Sequence, residues 1–482
     1  MIKIARPALV AGSLMMVMAT AVPAQAAPPA PPPLRLVAGS QTVTLDRYPD
    51  YGVILDFGAY MVAGNSSFEI RVTRKSYADP IVANQIVNGH ARRLPAGLLT
   101  DFSGLPGFQH VTLTDSSGAV VVEKDLTFCP NGQTVRTRPD APDTSPYPVS
   151  CSSNPFSLGG VWGVQKGWGT NTFDWMYGYA DPAALPEGAY TARISVPQRY
   201  QDLFGIPADQ SSVTIQVTVR DAEQPGGPGA GRMRAAQTQA PQPNAARPTG
   251  AASVPRGPKP DLRPLPSWDM GIAPENGRDY LRFAANVWNA GPSPLVLDGF
   301  RRTGEDVMDA YQYFYDASGN QVGYAPTGTL EWDDRDGHNH WHFTDFARYS
   351  LLDATQSEVV RSQKEAFCLA ATDAIDFTVK NANWQPGNTD LHTACGIQSS
   401  LAVREVLDVG SGDTYYQYLP GQSFDITDLP NGTYYVEVVA NPDHNLYESD
   451  LTNNVSLRQV ILGGSPGART VTVPPYQLVD AP

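Results

Sequence analysis

LPNGTYYVEVVA, residues 429–440, reads as a tight turn that delivers a tyrosine into a strand. Leu-Pro-x-Gly supplies the turn, and the run behind it alternates apolar and polar side chains with the period of two that a half-buried strand needs, with Tyr435 or its neighbours facing in. The same Leu-Pro-x-Gly-x-Tyr opens LPEGAYTARISV at 185–196, and SSVTIQVTVR at 211–220 alternates Val213, Ile215, Val217 and Val219 against polar partners. No stretch of ten or more residues combines helical periodicity with caps, although ATDAIDFTVKNA at 371–382 has room for a short helical turn. The expectation is a mainly β chain, antiparallel in both halves.

A turn glycine followed by a tyrosine entering a strand resembles the tyrosine corner of immunoglobulin-like sandwiches, and unrelated sandwiches make the same turn. With 482 residues, the chain exceeds what one core usually organises. Residues 224–260, rich in Pro, Gly, Ala and Gln, have almost nothing to bury and read as a flexible linker. They separate an N-terminal β-sandwich-like domain of unassigned role, 34–223, from a second domain, 261–482.

The start pairs Lys3 and Arg6 with an apolar stretch from Ala8 to Val22 and the small-residue site Ala24-Gln25-Ala26, so residues 1–26 read as a signal peptide, followed by a Pro/Ala tether at 27–33. No later stretch approaches the ~18 apolar residues of a membrane span. The expected location is secreted, extracellular or in the cell envelope. In such a setting the four cysteines pair within each half, Cys129 with Cys151 and Cys368 with Cys395, and the absence of CxxC argues against a cysteine-zinc module.

Net charge is −14 overall, but residues 261–482 carry −17 and the remainder +3. Such a field disfavours nucleic acid and anionic lipid and favours cationic substrates or partners; solubility alone would account for it equally well.

GHNHWHF at 337–343 places three of the seven histidines within five positions. Clustered imidazoles suit copper, zinc, nickel or iron. A helix would aim His340 away from His338 and His342, while a flat strand would hold the outer two about 13 Å apart at ~3.3 Å per residue. The segment must therefore bend, and Asp336-Gly337 can supply the bend. Trp332, Trp341 and Phe343 are expected to wall the site, and Asp333, Asp334, Asp336 and Asp345 offer an acceptor for a ligand imidazole or a general base. The spacing does not separate copper from zinc.

The order EW, GHNHWHF, YSLLDA, KEAFCL, AC, GDTYYQYLPGQSFDITDLPNGTYYVEVVANP, ESDLTNN resembles the catalytic domain of the lysyl oxidase family, copper amine oxidases that deaminate peptidyl lysine. The resemblance runs from Asp261 to about Ile461, with DLRPLP (261–266) and LRFAANVWNAGPSPLVL (281–297) as opening strands. It implies copper on His338, His340 and His342, and a lysine tyrosylquinone cofactor made by joining Lys364 to Tyr415, with Tyr416 and Tyr418 as the neighbours should the register slip. The general base is not assigned by it; Asp345, three residues past the last ligand, is the candidate by proximity. Implied partners are dioxygen and a cationic amine or lysine-bearing protein. The chain departs from animal members at Gly337, Ser411 and Gly421, where they have cysteines, and its Lys364–Tyr415 interval of 51 positions is longer, which leaves the lid around the site open.

Two other readings stand beside this one. NPDHNLYESDLTNN at 441–454 also resembles the closing strand of adhesion-type sandwich modules, in which the histidines would hold a structural metal. A zinc hydrolase with three histidine ligands and an open water position is the third.

Overall fold

The computed structural model describes residues 34–173, 182–222, 247–316, 318–335, 339–362, 364, 366–389, 394–417 and 421–479. The leader and tether at 1–33, the linker stretch 224–246, Asp336, Gly337, His338 and Tyr418 lie outside the described residues.

The chain is mainly β. Residues 34–221 supply strands to three sheets, of four, four and six strands, around a core that runs from Leu34 to Val219. Residues 262–472 supply three more, of six, six and five strands. Their shared core gathers Leu281, Phe283, Trp341, Phe367, Tyr415 and Val436. The strand Ser212–Asp221 buries Ile215, Val217 and Val219 as the alternation requires.

Both expected tyrosine corners are present. Tyr190 donates its hydroxyl to Pro186 O and Tyr434 donates to Pro430 O, each at 2.9 Å and each four residues upstream. In the strand Gly432–Ala440 it is thus Tyr434, with Val436 and Val438, that faces in, while Tyr435 is half-buried.

Two details differ from the sequence reading. A seven-residue helix, Gln198–Phe204, starts after Pro197 and stops at left-handed Gly205 (φ 67°), a Pro-start and Gly-stop too short for a ten-residue window. Residues 371–382 contain the short strand Asp373–Ala374 and turns, and no helix. The reason is that Ile375 and Phe377 are drawn to opposite partners across the junction between the halves.

At that junction Leu158 N donates to Ile375 O at 2.9 Å and Phe377 N donates to Gly159 O at 3.0 Å, so a parallel bridge joins the two halves. Tyr77 and Phe156 pack with Leu265, Trp288 and Ile375, and Tyr147 and Val161 pack with Phe377. Gly159 is required by close approach, since a Cβ there would lie 2.0 Å from Asp376 Oδ1. Residues 32–482 form one compact unit. Residues 247–260, read above as linker, include Ser253 in a bridge with Tyr324 and, at their start, Arg247 paired with Asp309 at 2.8 Å.

Candidate metal and cofactor site

Three strands converge on the site. The histidine strand, His340–Thr344, lies between Gln321–Asp333 and the two-residue strand Ala366–Phe367. The tyrosine strand, Ser411–Tyr415, lies between Arg278–Asn289 and Asp373–Ala374 of a neighbouring sheet. Lys364 stands just before Ala366–Phe367, so pairing with the histidine strand fixes the lysine segment beside both.

His340 and His342, two apart in a strand, share a face; both are buried, with ring centroids 4.7 Å apart. Asn339, just before the strand, has left-handed backbone (φ 49°). His342 Nδ1 lies 3.1 Å from Asp333 Oδ2. Burial lowers the His342 pKa to about 3 against the raising pull of Asp333, and the nearby charges of Lys364 and His340 lower it further. The imidazole is therefore neutral near pH 7 with one nitrogen oriented by a carboxylate, the arrangement a ligating histidine uses. Two such rings fit a divalent copper or zinc ion. Trp341 and Phe343 alternate with the histidines and back the strand on its other side; the Trp341 indole donates to Ile397 O at 3.0 Å. A second group of donor atoms, from Cys368, Cys395 and Glu405, lies within 4.8 Å. Its two sulfurs are joined in a disulfide, so they are not thiolate ligands.

Lys364 and Tyr415, 51 positions apart, meet in the core. Nζ of Lys364 sits 4.6 Å from the centroid of the Tyr415 ring and 5.1 Å from that of Phe367, is buried, and has no hydrogen-bond partner. Burial lowers the lysine pKa to about 8, the charge of Arg335 adds to this, and Asp333 and Asp413 oppose it. Tyr415 donates its hydroxyl to Cys368 O at 2.8 Å, and burial holds its pKa well above 10. Tyr416 is 38% exposed, so of the described candidates Tyr415 is the inward ring, Tyr418 lying outside the described residues.

Asp345 occupies the left-handed turn after the histidine strand (φ 58°), half-buried. The carboxylates whose charge reaches Lys364 are Asp333 and Asp413. Sequence reasoning passed over Asp413, although it stands two residues before Tyr415 and must share its face. It also passed over Glu405, an acid at an inward position of an apolar strand, whose carboxylate accepts from Leu369 N at 3.0 Å. Ser362 was missed too: it donates to Gly421 O at 2.5 Å and accepts from Lys364 N at 3.2 Å, tying the lysine segment to the loop after Tyr415. Both expected disulfides, Cys129–Cys151 and Cys368–Cys395, are present.

The long interval between Lys364 and Tyr415 turns away toward the N-terminal half. Gln385 Nε2 donates to Tyr147 O at 2.7 Å, and Arg71 lies over Trp384 at 5.7 Å.

Residues 317–468, which hold the histidines, Lys364 and Tyr415, match the profile of the lysyl oxidase family. By this match the segment resembles the lysyl oxidase family. It is similar to lysyl oxidase homolog 1 of Homo sapiens, 36% identical over 132 residues, which are 27% of this chain and 20% of that protein. Lysyl oxidase homolog 3B of Danio rerio is 34% identical over 121 residues, 24% of this chain and 13% of the relative. For lysyl oxidase homolog 4 of Homo sapiens the figures are 32% over 130 residues, 27% and 15%. The chain thus spans a fifth or less of the length of these relatives. The strands at 261–297 and the whole N-terminal half precede the lysyl oxidase segment.

Proposed function

We propose that the chain is a copper-dependent amine oxidase that joins Lys364 to Tyr415 as lysine tyrosylquinone and converts primary amines, free or on peptidyl lysine, to aldehydes. The observation that carries this reading is the buried Lys364 amine 4.6 Å from the Tyr415 ring. A sandwich protein with a purely structural metal has no use for an unpartnered lysine in its core, where burying a charge is costly.

His340 and His342, completed by His338 two residues earlier, would hold the copper. When bound, copper supplies one-electron chemistry that lets dioxygen oxidise the neighbouring ring. Joining Tyr415 to Lys364 consumes two dioxygen molecules and yields one water and one hydrogen peroxide, so the linked residues gain one oxygen and lose four hydrogens. The quinone supplies the electrophile and two-electron acceptor that no coded side chain offers. Over a full turnover, amine, dioxygen and water become aldehyde, ammonia and hydrogen peroxide.

The protein's part is placement and protonation. Phe367, edge-on to Tyr415 with centroids 4.8 Å apart, and Phe283 and Phe424 in the same core keep the ring dry. A lysine pKa of about 8 leaves a useful fraction of neutral amine at neutral pH. The −17 charge of residues 261–482 draws ammonium-bearing substrates. Residues 1–26 act in this reading as an export leader, which delivers the chain to an oxidising, aerated compartment.

The test is peptide mapping of protein loaded with copper in air. The Lys364 and Tyr415 peptides should appear as one species, heavier than their sum by one oxygen less four hydrogens, and should label with hydrazine reagents. Lys364→Arg should bind copper as before and release no peroxide from amines. Separate, unlabelled peptides would end the amine oxidase reading.

A further inference from the structure

One buried acid beside the lysine and tyrosine has no task in the chemistry above. Asp413 is 1% exposed, and the hydroxyl of its strand neighbour Tyr415 is the one donor within reach of its carboxylate. It lies on the tyrosine strand two residues before Tyr415 and therefore on the same face, and its backbone is pinned by pairing with Val287. On that face the Lys364 ammonium is likewise buried, and it is unpartnered. We propose that Asp413 is the proton acceptor for Lys364, taking the proton that the ammonium must lose before its nitrogen can bond to the ring of Tyr415.

The other candidates for this task are engaged. Asp333 is held by Arg335 at 2.6 Å and by His342 Nδ1 at 3.1 Å. Glu405 accepts from Leu369 N with Oε2 and leaves Oε1 unpartnered, Asp373 accepts the Thr414 hydroxyl at 2.5 Å, and neither is among the carboxylates whose charge reaches Lys364. The Tyr415 hydroxyl donates to Cys368 O at 2.8 Å and also lies within reach of the Asp413 carboxylate, so Asp413 touches the ring that Lys364 must join. The titratable groups that face Asp413 are Lys364, Tyr415, Asp373, Glu405 and Tyr349. Lys364 is the one cation among them.

In the step itself one N–H bond of the ammonium breaks and one O–H bond forms on the carboxylate, with no change in electron count. An ammonium and a carboxylate become an amine and a carboxylic acid, so two charges leave a dry core together. Isolated charges in such a medium are much less stable than the neutral pair. Burial raises the carboxyl pKa and lowers that of the amine, in the same direction as the transfer.

This role rests on the amine oxidase reading, and a time course of cross-linking separates the two. Metal-free full-length protein is given copper(II) in air, and the linked Lys364–Tyr415 peptide is followed by mass. Asp413→Asn should slow linking about tenfold at neutral pH, because a lysine pKa of about 8 leaves only about a tenth of the amine neutral there without an acceptor. The rate should recover as pH is raised until solvent deprotonates the lysine, while copper binding and the unfolding midpoint stay at wild-type values. Asp413→Glu, which keeps an acceptor, should retain most of the rate. Wild-type linking in Asp413→Asn, or equal losses in both variants without recovery at high pH, overturns the role of Asp413 alone. Should Asp413→Asn not fold, the Glu variant decides: a displaced pH profile supports proton acceptance, and lost rate with an unmoved profile overturns it. No linking in wild type overturns the amine oxidase reading and this role with it.

Discussion

The two halves close with the same device, a tyrosine hydroxyl returned to a carbonyl four residues upstream, yet they fill their interiors differently. Among the described residues the N-terminal half buries one acid, base or imidazole, Arg74, and its Nε donates to Ser157 O at 2.8 Å. The C-terminal half buries ten, and four of them, His340, His342, Lys364 and Asp413, belong to one site or its edge. Charge in a protein core is unfavourable unless paired. Among the described residues the buried charge is thus concentrated in one of the two β halves, at the place where the amine oxidase reading proposed above needs it.

That contrast can be broken at several points. Asp333→Ala should weaken copper binding about 10- to 100-fold by releasing His342 Nδ1, as loss of an orienting carboxylate does at other metal sites. The measurement is a competition titration against a copper chelator, and unchanged affinity would detach His342 from the metal. Gly159→Val, at the junction, should cost about 1–3 kcal/mol, because its side chain must enter the space of Asp376 and Thr378. Denaturant unfolding reads this, and cross-linking of Lys364 to Tyr415 should continue if the halves are independent in their chemistry.

The tyrosine corners offer a matched pair. Tyr190→Phe and Tyr434→Phe should each lower stability by about 0.5–1.5 kcal/mol, since each strands one carbonyl that had a donor. Equal losses would mean the device does the same work in both halves. The smallest effect concerns Glu448, whose pKa burial raises to about 7 although Asn441, Asn454 and Leu262 N hydrogen-bond to it. A carboxyl raised on folding favours the native state most below its unfolded value near 4.5, and this contribution fades as pH rises through 7. Stability of wild type should therefore decline across that window relative to Glu448→Gln, and parallel stability curves would remove Glu448 from the account.

Much of this was legible in the sequence because it repeats with a short period. The alternation of Val213 to Val219, both tyrosine corners and both disulfides follow from local pattern or from grouping within a half. The bend expected at Asp336-Gly337 falls outside the described residues, and next to it Asn339 is left-handed (φ 49°). What escaped was decided by distant partners. Residues 371–382 lost their helical option because Ile375 and Phe377 are claimed from across the junction, and nothing in that segment names Phe156 or Tyr147. Asp413 was visible in principle, since a residue two before a buried tyrosine must point the same way, but its importance lies in Lys364, 49 positions earlier. The short helix at Gln198–Phe204 was announced by Pro197 and Gly205 and went unread only because of its length.

The bond between Cys368 and Cys395 bears on the order of events. Its two cysteines each lend a carbonyl to the site, Cys368 to the hydroxyl of Tyr415 and Cys395 to the backbone N–H of Trp341 in the histidine strand. One covalent link thus ties together the segments that hold the ring and the imidazoles. On the amine oxidase reading proposed above, thiol oxidation would come first and would hold the tyrosine in place for its later alteration.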